Sequence, residues 1–123
     1  MEIINQNYYI LCVICNIKNI TEEKYLWYIV QDAKSVTVDN TELFFRVETN
    51  SEGDKIYNLI DALTGMMLSW GFSEEEAIDK FKSHFEKLSD YQKTQINKHG
   101  LSPRYTKNYS YEISGVWPTI NFI

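Results

Sequence analysis

Apolar residues fall in short runs along this chain, and past the middle their spacing changes from strand-like to helical. The first run, Tyr8-Tyr9-Ile10-Leu11-Cys12-Val13-Ile14-Cys15, is continuously apolar and rich in β-formers, which suits a buried strand. Asn16, Lys18 and Asn19 then break it. The segment Thr21 to Lys34 admits two readings. Thr21 with Glu22 and Glu23 makes a helix start, and Leu26, Ile29, Val30 and Ala33 recur at helical spacing. Tyr25 to Val30 is instead aromatic and β-branched, and the first run needs a hairpin partner close in sequence. A strand is therefore preferred.

Three further strands follow. Glu42 to Glu48 alternates, with Phe45 and Val47 directed opposite to Phe44 and Arg46. Asn50-Ser51-Glu52-Gly53-Asp54 is a turn cluster, and Lys55 to Asp61 returns as the second arm of a hairpin. Thr64-Gly65 marks another tight turn, leading into Met66 to Trp70. Gly71 ends that strand, and Ser73-Glu74-Glu75-Glu76 is a capping box with three carboxylates at the positive end of a helix. Ala77, Ile78, Phe81, Phe85 and Leu88 form the stripe of a helix lying on a sheet. Ser89-Asp90-Tyr91-Gln92 repeats the capping pattern, and Gly100 stops a second helix near Lys98 or His99. Past Ser102-Pro103, the residues Tyr109, Tyr111 and Ile113 alternate like a strand, and Phe122 and Ile123 have the character of packed residues. The pattern predicts an α+β fold. An antiparallel β-meander of about five strands carries two consecutive helices, about 74–88 and 90–98, packed on one face, with an extended C-terminal tail.

At 123 residues and 44% hydrophobic content, the chain makes one domain, 1–123, with enough apolar surface for a continuous core. The longest apolar run is far short of the ~20 residues needed to cross a bilayer, and no basic segment precedes it. A cytoplasmic protein with reduced Cys12 and Cys15 is expected. Lys outnumbers Arg ten to two, and Asn, Ile, Lys and Tyr supply 43 residues. All four use A/T-rich codons, as in low-GC bacteria and their phages and plasmids.

Charge is unevenly distributed. Residues 1–79 hold 14 acids and 5 bases, whereas residues 80–123 hold 3 acids and 7 bases. The two parts either present separate interaction surfaces or pair with each other in the fold.

Motifs for chemistry are sparse. Cys12 and Cys15 have C-x-x-C spacing, but in an apolar strand they point to opposite sides and act as structural thiols. His84 and His99 are too far apart for a zinc module, so no metal is expected. Glu74, Glu75 and Glu76 fan around a helix axis and serve as capping residues. There is no P-loop, dinucleotide fingerprint or nucleophile elbow. A non-enzymatic protein without a cofactor follows as the expectation.

Two surfaces remain as candidates. Spaced carboxylates at Asp39, Glu42, Glu48, Glu52 and Asp54, with Asp32 and Asp61 in the same part of the chain, resemble a row of phosphates. They would suit a partner protein with a basic, nucleic-acid-binding groove. Aromatic content of 15% favours such an interface. The expected role is inhibition or neutralisation of that partner, as by a phage or mobile-element inhibitor of a defence nuclease or a toxin-immunity protein. The alternative is a basic, tyrosine-rich segment, with Tyr91, Lys98, Arg104, Tyr105 and Lys107, that sequesters a phosphorylated small molecule or nucleotide. A homo-oligomer could then build the pocket between subunits. Direct nucleic-acid binding is disfavoured by a pI near 5.0.

Overall fold

The computed structural model describes residues 5–16, 19–85 and 88–117. The elements are β1 (Asn5–Asn16), β2 (Asn19–Val38), β3 (Thr41–Thr49), β4 (Lys55–Asp61), β5 (Met67–Gly71), α1 (Glu74–His84), α2 (Leu88–His99) and β6 (Ile113–Val116). β1 to β5 form an antiparallel meander in chain order, and β6 adds to β2 in parallel. An α+β fold with an antiparallel meander and two helices is what the residue pattern predicts.

Segment 21–34 is strand throughout, because β1 pairs with it from Cys15↔Glu23 to Asn5↔Lys34. β2 then continues past β1, and Ser35 to Val38 pair with the start of β3. One long strand thus serves two parts of the sheet. Tyr8 of β1 stacks face to face on Phe44 of β3 at 4.5 Å, although β2 lies between their strands in the ladder. Such an approach requires a strongly coiled sheet. At the far edge, Leu11 N donates to Gly65 O in the β4–β5 turn at 3.0 Å, so the outer side of β1 meets that turn.

Alternation along β3 puts the core on both of its faces. Phe44 joins Tyr8, Ile10, Val30, Ala33, Ile60 and Ala62 inside the coil. Leu43 and Phe45 join Leu59, Leu68, Ala77 and Phe81 on the other face, where α1 and α2 pack through Ile78, Phe85, Leu88 and Tyr91. The helix boundaries differ from the expected ones. α1 stops at His84, with Phe85 leaving helical geometry at φ −116° and ψ 80°. α2 begins at Leu88, so Ser89 lies inside it and not at its cap. The break lets α2 return over the sheet, where Gln92 Nε2 donates to both oxygens of Asp61 at 3.2 Å.

The described part of the tail runs along β2 as a short strand. Trp27 N donates to Glu112 O and Trp117 N to Ile29 O, which holds β6 against β2. The strand covers Ile113 to Val116, while Tyr109 and Tyr111 precede it outside the ladder. Tyr111 is held there because its hydroxyl bonds His99 Nδ1 at 2.8 Å. Phe122 and Ile123 lie outside the described residues. No helix among the described residues is long and apolar enough to cross a membrane.

Candidate functional site

The five carboxylates singled out in the sequence are spread along β3 and the turns at its two ends. Asp39 occupies the β2–β3 turn at φ 49°, and Glu42 stands at the beginning of β3. Glu48 lies at the other end of β3, bound by Arg46 Nη2 at 2.7 Å and by Asn58 Nδ2 at 2.7 Å. Glu52 and Asp54 sit in the β3–β4 loop, where their backbone amides donate to Asn50 Oδ1. At about 3.3 Å per residue, the two ends of the nine-residue β3 are roughly 25 Å apart. Asp61 is removed from the surface altogether. It is 1% exposed and accepts from Thr64 Oγ1 at 2.9 Å, Leu63 N and Gln92. Burial pushes its carboxyl above the ordinary range, against the pull of those hydrogen bonds.

In the basic segment, Arg104 is engaged with the start of β1 and with Glu42. Arg104 lies over the Tyr8 ring at 4.4 Å, donates to Asn7 O at 2.6 Å and to Gln6 Oε1, and stands 4.0 Å from Glu42. Glu42 in turn accepts from the Tyr8 hydroxyl. The strongest cation of the basic segment and one carboxylate of the acidic set are therefore joined in a single structural contact. Tyr105 is close to Arg104 at 5.8 Å, but Tyr91 packs edge-on against Phe85 in the helical layer. Lys98 is in the last turn of α2, and Lys107 is exposed in the loop beyond.

His99 of the same segment is buried, between Tyr25 at 4.5 Å and Tyr111. Burial, aided by Lys98, lowers its pKa from the usual 6.5. A histidine held neutral by the fold takes up its proton more readily when unfolded. Its contribution to stability is therefore present above pH 6.5 and lost as pH falls toward the depressed folded value. Urea melts of the wild type and His99→Gln from pH 7.5 to 5 are expected to diverge below pH 6.5. There the wild type should lose more stability, and parallel curves would refute the assignment. Asp61 acts in the opposite sense, since a raised carboxyl loses stability as pH increases, and it is common to both proteins.

The thiols and caps behave largely as their surroundings dictate. Burial pushes the half-buried Cys12 thiol up to about 11, which leaves it protonated and unreactive. The Cys15 thiol lies outside the described residues. Among the described residues no three His, Cys, Asp or Glu side chains converge on one point. Ser73 Oγ accepts from Glu76 N at 3.0 Å as a cap should, but Glu76 reaches back to Phe72 N at 3.2 Å, one residue beyond the usual box.

That displaced cap draws attention to a surface the sequence reading missed. β5 ends the sheet, and Gly71 lies so close to α1 that a Cβ there would stand 2.9 Å from Ala77 N. The chain therefore turns directly from strand into helix, with Phe72 at the corner. A residue in this position ordinarily packs on the fourth residue of the helix. Here that residue is Ala77, which is short and fully buried under the sheet. Phe72 turns to Trp70 instead, edge to face at 5.6 Å. Met67, Trp70 and Phe72 are left 51%, 41% and 55% exposed.

On α1 lies a shallow groove of about 360 Å³ lined by Ser73, Glu75, Glu76, Asp79, Lys80, Ser83 and His84. Lys80 lies 4.5 Å over the Trp70 ring and 3.2 Å from Glu76. Hydrogen bonds from Lys80 and from Phe72 N lower the Glu76 pKa. Glu74 is taken up by Lys34 at 2.6 Å. Among the described residues, Glu75 and Asp79 have no cation within ion-pair distance. No protein-family model, no curated protein and no solved structure matches this chain.

Proposed function

We propose that this protein is a non-enzymatic binding module that docks onto another protein through the acid-rimmed aromatic edge made by β5 and α1. The observation that carries this reading is the Trp70–Phe72 pair, exposed on an open sheet edge with Met67 beside it. Aromatic side chains that remain solvated after the core has formed are the usual anchors of an interface, and a rim of charge suits partner selection. The docking role is the one expected from the sequence, but its surface moves from the β3 carboxylates to β5 and the first turns of α1. Sequestration of a phosphorylated small molecule has less support, because Arg104 is committed to Tyr8, Asn7 and Glu42. In the A/T-rich genetic setting suggested by composition, the proposed role is neutralisation of a nuclease or toxin by covering its basic surface.

Photo-crosslinking tests the location directly. Phe72→p-benzoylphenylalanine should yield one discrete protein adduct in the native host, and Trp70→Ala should abolish it. The same photoreactive residue at Glu52 should give none. An adduct from position 52 but not 72 would return the interface to the β3–β4 end and refute the β5 surface.

A further inference from the structure

We infer that Glu76 and Lys80 are positioning residues, which fix Trp70 and Phe72 in the arrangement they offer to the partner. This inference rests on the docking reading above and specifies how its anchors are held. Four residues close a ring of contacts where β5 turns into α1. Phe72 N donates to Glu76 Oε2 at 3.2 Å, and Lys80 Nζ pairs with Glu76 Oε1 at 3.2 Å. The same Nζ stands 4.5 Å from the centre of the Trp70 ring, and Trp70 meets the Phe72 ring at 5.6 Å and 82°. Gly71, between the two aromatics in sequence, makes room for this ring. A Cβ there would stand 2.9 Å from Glu76 Cβ and Cγ, so only a residue without a side chain lets Glu76 fold back.

The rings need such a hold because the core does not supply one. Trp70 and Phe72 are 41% and 55% exposed, and large side chains left in solvent must be ordered when a partner binds them. A hold built in advance removes that cost, which is preorganisation. The frame beneath is fixed, since Ser69 Oγ donates to Ala77 O at 2.6 Å and Ser73 Oγ accepts from Glu76 N at 3.0 Å. An ordinary capping box would spend the Glu76 carboxylate on the cap residue's own amide. Its reach to Phe72 N instead places that carboxylate between the Phe72 backbone and Lys80. Glu76 precedes Lys80 by four residues, the favourable order for an ion pair on a helix. With side chains 40% and 41% exposed, the pair adds little to global stability. Its effect is local, on the aromatic rings.

The test compares the full chain with Lys80→Met, which keeps an unbranched side chain of similar helix propensity but removes the cation. Nitrogen-15 relaxation of the Trp70 indole, assigned with Trp70→Phe, should report an ordered ring in the wild type and a mobile one in Lys80→Met. Glu76→Gln keeps an acceptor for Phe72 N and loses only the charge, and it should also free the ring. Lys80→Arg should restore order, because a guanidinium stacks on indole as well. Urea midpoints of all three variants should stay near that of the wild type. Equal indole order in wild type and Lys80→Met would overturn the inference, as would a urea midpoint that falls together with the order. Unlabelled chains are then added to host lysate as competitors of the adduct from position 72. About tenfold more Lys80→Met than wild type should be needed to halve the adduct, while Lys80→Arg should match the wild type. Lost indole order with unchanged competition would leave docking intact and overturn the positioning role. Failure of the wild-type chain itself to compete would overturn the docking reading, and the positioning role with it.

Discussion

Gly65→Ala is expected to lower stability by about 3–4 kcal/mol, among the largest effects of any single change in this protein. Two costs coincide at this position. Its φ of +71° is a left-handed conformation that alanine adopts only under strain. A Cβ would also stand 2.6 Å from Trp27 Cζ3 and 3.0 Å from both Leu11 N and Tyr9 O. The last two are backbone atoms of β1, and Leu11 N donates to Gly65 O itself. Relief would require the turn to withdraw from β1, which breaks that bond and opens the contact where the coiled sheet meets the turn. Gly53 supplies the control. It has φ +86° in the β3–β4 loop, with nothing within 4 Å of its Cβ position. Gly53→Ala should cost only the conformational part, about 1 kcal/mol. Urea denaturation of the two variants separates conformation from packing, and equal losses would show that the β1 contact contributes nothing.

The same turn shows how legibility in the sequence divides between local and distant causes. Thr64-Gly65 reads as a turn from residue chemistry alone. That Gly65 must also receive β1, some fifty residues earlier, has no local signal. Segment 21–34 carries a local signal that misleads. Val30 and Ala33 are three apart and both point into the coil, which resembles helical spacing. The register explains it, since Tyr8 pairs with Val30 but Gln6 pairs with Ala33. One residue of β1, Asn7, opposes two of β2, Gln31 and Asp32, with Asp32 at φ 51° inside this bulge. A bulge therefore turns a period of two into an apparent period of three.

The hairpin of β3 and β4 and the start of α1 were legible because turn residues and the cap specify them within a few positions. The functional surface was not. Trp70 and Phe72 are as apolar as the core residues around them, and they stay exposed because β6 adds to β2 and leaves β5 as an edge. That depends on a pairing across more than eighty residues of chain. Arg104 and Glu42 were assigned to rival surfaces for the same reason, since their contact through Tyr8 spans distant parts of the sequence.

Phe44→Ala and Phe45→Ala should each cost about 3–5 kcal/mol, but with different signatures. The two are adjacent in β3 and nearly equally buried, yet they belong to opposite faces of the sheet. Phe45 meets Tyr57 edge-on at 6.4 Å beneath the helices, so its removal should loosen α1 and α2 first. Phe44 supports the stacked ring of Tyr8, and burial pushes the Tyr8 phenol up to about 12, with the hydrogen bond to Glu42 as the second cause. A cavity in place of Phe44 weakens the packing that keeps this ring dry. In Phe44→Ala the Tyr8 phenol should therefore titrate closer to the usual 10, whereas in Phe45→Ala it should stay near 12. Ultraviolet titration at alkaline pH, with Tyr8→Phe as the reference spectrum, reads this directly. A Tyr8 shift of the same size in both variants would mean that the faces of β3 do not act as separate layers, and the coiled-sheet account of the core would fail with it.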